Sequence, residues 1–258
     1  MSASLRTRTA PWTRILPPCL LALAFAATPS VAGAETGSAE ATITPKEGRE
    51  TEDTSAGGTV GRRFTALEDR LLAEPGLSFG FDIRAEGAVS AHLEGHLVVG
   101  RDHTVQLVAE GDFGGRKVEV EMHGDGKRLR GNNGGKAFDI ETPPALAESL
   151  VVGLTRMGLL HNLARLVGGQ HPDHAEGGVR DWVTLDAFRA ENPQGPLRGL
   201  SFDLQVGGQP SGRATLWTMD PNGWPKERQQ TVQFPEGKME VQESYVFLMQ
   251  GSADGPKS

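Results

Sequence analysis

A few short clusters hold the side chains that could do chemistry. His171-Pro172-Asp173-His174, with Glu176 close behind, is the most metal-like stretch, because imidazole and carboxylate are both zinc donors. A zinc site needs three or four donors in fixed geometry, and Pro172 makes this segment a turn with no second Cys/His cluster to complete the set. It reads as a solvated loop. Gly76-Leu77-Ser78-Phe79-Gly80 fits the G-x-S-x-G pattern, but a nucleophile elbow needs a strand before it and a helix after. Here a helix precedes, a strand follows, and Ser78 falls in the polar phase of that strand. His92 and His96 would align on a helix; in a strand they share the polar face, too far apart for one ligand sphere. His123-Gly124-Asp125-Gly126-Lys127-Arg128 and Asn132-Asn133-Gly134-Gly135-Lys136 invite a phosphate reading, yet neither has P-loop or dinucleotide spacing and neither opens a helix. They read as hairpin turns with solvated basic flanks. Glu243 is in phase with Met239, Val241, Tyr245 and Phe247 on an apolar face. It reads as a rim or edge glutamate paired with an arginine, or as a latch or headgroup contact near a cavity mouth, since an unpaired inward charge is too costly. No catalytic residue, resident metal or cofactor is expected.

Composition narrows the remaining classes. The chain has 258 residues, 37% hydrophobic and 6% aromatic, with 34 glycines and 16 prolines. That suits one large domain or two small ones, turn-rich in the manner of β proteins. A formal charge of −7 and a single cysteine exclude a basic nucleic-acid binder and a disulfide scaffold. Arg6, Arg8 and Arg14 lead into the apolar run Ile15 to Ala27, and Ala32-Gly33-Ala34 offers the small-x-small pattern of signal peptidase. Residues 1–34 are therefore expected to be a cleaved signal peptide, its apolar run too short for a mature membrane span. Cys19 lies inside that run behind Leu16-Pro17-Pro18, which is not a lipidation pattern. Cleavage would remove it and leave the chain three charges more negative. Residues 35–61 lack apolar periodicity and are expected to be a disordered linker, 62–249 the folded domain, and 250–258 a flexible tail.

The elements that must position anything follow from periodicity. Phe64, Leu67, Leu71 and Leu72 share one face of a short helix that Pro75-Gly76 stops. The period then drops to two. Leu77, Phe79, Phe81 and Ile83 alternate with polar residues or glycine, as do Val89, Ala91, Leu93, Leu97 and Val99, then Val105, Leu107 and Ala109, then Val118, Val120 and Met122. This predicts an antiparallel meander with one apolar and one wet face. Residues 145–167 return to helical spacing through Leu146, Leu150, Leu154, Met157, Leu160 and Leu163, with a kink or break expected at Gly153 and Gly158. Its few cations favour a core or lid segment over a membrane-surface one. Residues 168–178 read as a loop and 181–190 as another short helix. Strands resume at 200–206 and 214–218, with Asn222-Gly223 as a hairpin turn, and a closing hairpin joins 231–234 to 239–247 through Pro235-Glu236-Gly237. The fold class is α+β: a strongly curved antiparallel sheet, forming an incomplete β-barrel, with helices covering its apolar face.

This order of a helix, four or five strands, mid-chain helices and a four-strand finish resembles the LolA/LolB-like superfamily, which includes the periplasmic lipoprotein carrier and the sensory domain of the sigma-E regulator RseB. The C-terminal run carries most of the likeness: Ser201-Phe202-Asp203-Leu204, then Leu216-Trp217-Thr218-Met219-Asp220-Pro221-Asn222-Gly223-Trp224-Pro225, then Gln233 to Met239 and Glu243-Ser244-Tyr245. The carrier's Arg-Pro-x-x-Phe-Arg strand is absent, and Arg116, Arg128 and Arg130 do not match it. The resemblance implies an exported, non-enzymatic binder or carrier of lipid or lipoprotein acyl chains, periplasmic in a diderm cell. The inward positions Phe79, Phe81, Leu93, Leu97, Leu107, Leu150, Leu154, Met157, Leu204, Leu216 and Tyr245 are expected to face the ligand. An envelope sensor binding a protein partner, as in RseB, is the alternative; a metal-dependent hydrolase using the His171/His174 loop is a more distant one.

Overall fold

A computed structural model of the chain describes residues 58–248, apart from 101, 103, 134, 169–178, 220–222 and 235–236. Helix α1 spans Thr59–Ala73 and buries Val60, Phe64, Leu67 and Leu71 along one stripe. Glu68 is buried on the same stripe. Pro75 cannot continue the helix, and the chain turns directly into β1, Gly76–Gly87. A meander follows: β2 Ala91–Gly100, β3 Thr104–Phe113, β4 Arg116–Asp125, β5 Arg128–Asn133 and β6 Ala137–Glu141. The expected turn at Gly124 to Arg128 is present, its Asp125 carboxylate accepting from the backbone N–H groups of Lys127 and Arg128. Asn132, expected in a turn, instead belongs to β5, paired with Glu121 and Ala137.

The mid-chain helix is broken as its glycines predict. Helix α2 covers Leu146–Val152, a π-helical turn Gly153–Met157, and after Gly158 helix α3 runs Leu159–Val167. The chain bends by 118° between the limbs on either side of Gly158. No single helix among the described residues is long and apolar enough to cross a membrane. A four-residue helix α4, Val179–Trp182, leads to the second meander: β7 Val183–Gln194, β8 Leu197–Val206, β9 Gln209–Met219, β10 Pro225–Phe234 and β11 Gly237–Phe247.

All eleven strands form one antiparallel sheet in the order β6-β5-β4-β3-β2-β1-β11-β10-β9-β8-β7. It is not closed. Strand β1 is the seam, paired with β2 on one side and β11 on the other. The two edges, β6 and β7, are consecutive in the chain, so the helical segment between them must run from one edge of the sheet to the other. That segment packs against β4 through α3 and against β7 through its π-turn. Eight strand spacings separate β4 from β7, about 38 Å if the sheet were flat, whereas fifteen helical residues reach only about 22 Å. The sheet therefore curls around its helical cover. On the β7–β8 side, Phe64 of α1 meets Phe188 and Phe202 at ring-centroid distances of 5.6 and 5.0 Å.

The expected linker 35–61 runs too far, since α1 already starts at Thr59 with Val60 buried, and one expected element is wrong. Residues 183–190 are strand, not helix, and the second meander has five strands rather than four. The register of β7 against β8 slips between Asp186 and Arg189, and Ala187 takes φ 51°. This bulge shifts the inward phase, so that Val183 and Phe188 are both buried. A strand that changes phase in mid-course imitates helical spacing.

Candidate functional site

Two residues of opposite charge sit in the middle of the apolar inner face. Phe234 pairs with Gly237 at the β10–β11 turn, and that register sets Arg228 directly opposite Glu243. Their row runs Leu200, Leu216, Arg228, Glu243, Ile83, Leu93 across β8, β9, β10, β11, β1 and β2. Arg228, Glu243 and Tyr245 are completely inaccessible to solvent. Charges so enclosed persist only when paired and hydrogen-bonded.

The helical cover supplies the bonds. Glu243 Oε2 accepts from Leu159 N–H at 3.1 Å and from the Tyr245 hydroxyl, while Oε1 accepts from Leu160 N–H at 2.9 Å. The carboxylate thus satisfies orphan donors at the start of α3, where the helix dipole also favours a negative charge. Arg228 Nη2 donates to the Arg156 carbonyl at the end of the π-turn, and Nη1 donates to Gln230 Oε1 at 2.6 Å. Its Nε has no hydrogen-bond partner among the described residues. Burial pushes the guanidinium below its usual pKa, against the attraction of Glu243 and Tyr245. Burial, then the charge of Glu243, pushes the Tyr245 phenol well above its usual range, so it stays protonated and donates. Gly158 lets the chain pass over this pair. Its φ is +85°, and a Cβ there would stand 2.8 Å from both Arg228 Nη1 and Glu243 Oε1.

A second cluster holds the same π-turn from the other side. Glu68 of α1 accepts from Thr155 Oγ1 at 2.7 Å and from Arg156 Nε at 2.8 Å through Oε1, and from Arg156 Nη2 at 2.6 Å through Oε2. Arg156 Nη1 donates to the carbonyls of Arg180 and Val183 at 3.0 and 2.6 Å. Arg156 thereby ties α1, the cover and the start of β7 together with its side chain, while its carbonyl receives Arg228. His161, on α3, has its Nε2 shielded from solvent. Burial, with the positive charge of Arg165 second, lowers its pKa to about 4, so the imidazole is neutral.

Of the positions expected to face a ligand, Phe79, Phe81, Leu93, Leu97, Leu107, Leu150, Leu154, Leu204, Leu216 and Tyr245 are buried; Met157 is half-buried. Phe79, Leu97 and Leu107 lie in one cross-strand row, Phe81 opposes Tyr245, and the Phe79 and Tyr245 rings meet edge to face at 5.9 Å. The ten buried ones expose almost no surface even to enclosed space the size of water. An acyl chain could reach them only if the cover moved. Glu243 is a correction: it lies in the interior rather than at a rim or cavity mouth, paired across strands and capping α3.

Arg228, Glu68 and the full role of Arg156 escape the sequence reading. Strand β10 carries Arg228 and Gln230 in its inward phase, so its alternation looks polar on both faces. Counting outward from the Pro235-Glu236-Gly237 turn would have placed Arg228 opposite Glu243. Ser78 Oγ shares a 3.1 Å hydrogen bond with His96 Nε2, without the preceding strand and following helix of a nucleophile elbow. His92 lies elsewhere on the outer face, its Nε2 3.1 Å from Asp82 Oδ2. His171, His174, Glu176 and Asn222 lie outside the described residues. No protein-family model matches this chain, and no curated protein matches it.

Proposed function

We propose that the protein is a non-enzymatic binder or carrier of lipid-like acyl chains in the cell envelope, and that the helical segment 146–167 is its lid. The observation that supports this reading is how that segment is fastened. It lies over the apolar face of an unclosed sheet, it breaks at Gly158, and charged clusters grip it at the break. A cover meant only to complete a core gains nothing from buried charges there, since apolar residues of similar volume serve stability as well or better. A cover meant to lift gains a discrete set of bonds to exchange. In this reading the curved sheet is an incomplete barrel, and lifting the cover exposes Phe79, Leu97, Leu107 and Leu216 to the ligand. The resemblance to the LolA/LolB-like superfamily implies the same function.

Native mass spectrometry of the protein purified without detergent, followed by solvent extraction, tests it. A discrete adduct of lipid mass is expected, diminished by Met157→Arg at the half-buried edge of the cover while the unfolding midpoint stays unchanged. A clean apo mass after incubation with phospholipid vesicles overturns the carrier reading. It would favour the alternative, a protein-binding envelope sensor, for which the tight burial of the inner face is the supporting observation.

A further inference from the structure

The outer face of the sheet carries an arrangement that its own packing does not explain. Asp82 of β1 pairs directly with Glu94 of β2, Glu94 with Glu110 of β3, and Glu110 with Glu119 of β4. Like charges set opposite one another weaken a sheet, and here three such pairs stand side by side. Most of the row borders a groove of about 950 Å³ on this face. At its β1 end stands an imidazole. His92, two residues before Glu94 on the same face, has Nε2 3.1 Å from Asp82 Oδ2 and 3.5 Å from Glu94 Oε1. All three donor atoms lie within 4.8 Å of one another.

We propose that Asp82, His92 and Glu94 form a binding site for a divalent transition-metal cation of the zinc type. With bonds of 2.0–2.2 Å, a tetrahedral ion has donor–donor edges of about 3.3–3.6 Å, and the two separations at Nε2 bracket the lower end of that range. Imidazole beside two carboxylates suits zinc rather than calcium or magnesium, which take oxygen donors. Two donors spaced i, i+2 on one strand and a third on its neighbour give a rigid chelate, since strand positions are fixed by the ladder. Arg84 Nε donates to Asp82 Oδ1 at 3.1 Å. That bond orients the carboxylate and leaves Oδ2 for the ion, as outer-sphere partners of metal ligands do. The fourth position faces solvent. Glu110 and Glu119 remain outside the coordination sphere, where their field attracts the cation.

Titration of the purified protein with Co²⁺, read by visible absorption, and with Zn²⁺, read by calorimetry, tests the site. One equivalent of Zn²⁺ is expected, with Co²⁺ bands of four-coordinate intensity. His92→Ala and Glu94→Gln should each abolish the stoichiometric complex without lowering the metal-free unfolding midpoint, which Glu94→Gln should raise slightly by relieving two like-charge pairs. Zn²⁺ should raise the midpoint of the wild type and not that of His92→Ala. The double variant His171→Ala/His174→Ala should bind as the wild type does. Absence of saturable binding, binding that survives His92→Ala, or binding lost with His171 and His174 would each overturn the proposal.

Discussion

The two charged clusters that hold the helical cover grip the same π-turn but differ in what surrounds them. Arg228, Glu243 and Tyr245 are sealed among apolar residues, and every bond that satisfies them comes from the sheet or from the backbone of the cover. Glu68 and Arg156 are joined side chain to side chain at the edge of the cover, where Arg156 keeps 13% of its side chain in solvent and Arg180 keeps 30%. The enclosed cluster cannot lose one member without stranding another charge in a low-dielectric interior. The edge cluster can lose its carboxylate, because its arginines already reach water. The first therefore decides whether the cover is seated, and the second trims how it lies against α1 and β7.

The largest effect should come from stranding the enclosed arginine. Glu243→Leu is expected to destabilise the protein by about 3–5 kcal/mol, the usual cost of leaving a buried charge without its counter-charge. Adding Arg228→Met should recover most of that loss in urea unfolding. Failure to recover would shift the weight of this cluster from charge pairing to the capping of α3.

Acidification sharpens the contrast next. His161 has a folded-state pKa of about 4 against the ordinary 6.5. Below about pH 6.5 the unfolded chain takes up a proton that the folded chain refuses, so the stability present at neutral pH falls as pH drops toward 4. The loss amounts to up to about 3 kcal/mol. Replacing it, as in His161→Leu, should flatten that acid limb when unfolding midpoints are compared at about pH 7 and pH 4.5; an unchanged limb would place the acid sensitivity elsewhere.

The smallest effect belongs to the edge cluster. Glu68→Gln should cost about 1–2 kcal/mol in the same unfolding experiment, since the amide keeps an acceptor and Arg156 keeps its carbonyl partners and its access to water. A loss as large as that of Glu243→Leu would erase the distinction between the clusters.

Much of the architecture was legible because strand and helix periods are clean where packing is one-sided. Strands β1 to β4 alternate with few interruptions, at Gly95, Val98 and Val108, and the stripe of α1 and the break at Gly158 are plain in the chain. Legibility failed where tertiary structure altered the period. The bulge at Ala187 disguised β7 as a helix, and the polar inward face of β10 hid most of that strand. The candidate site was half visible. Glu243 drew attention by its phase, but its partner is set by hairpin register, and Glu68 and Arg156 are 88 residues apart. A pair so distant leaves no local trace.

The placement of β1 also governs how the molecule comes to be made. Phe79 pairs with Leu97 on one side and with Phe247 on the other, so one flank of the seam is satisfied early and the other only by the final strand. Until that strand is synthesised, the middle of the future sheet is an open edge with its inner face apolar, the kind of surface that recruits other chains. Contacts that bridge so much sequence are also the slowest to form. A chain stopped short of β11 would therefore expose the centre of its sheet rather than simply shorten one side, and shielding that edge falls to whatever accompanies the polypeptide before its last strand arrives.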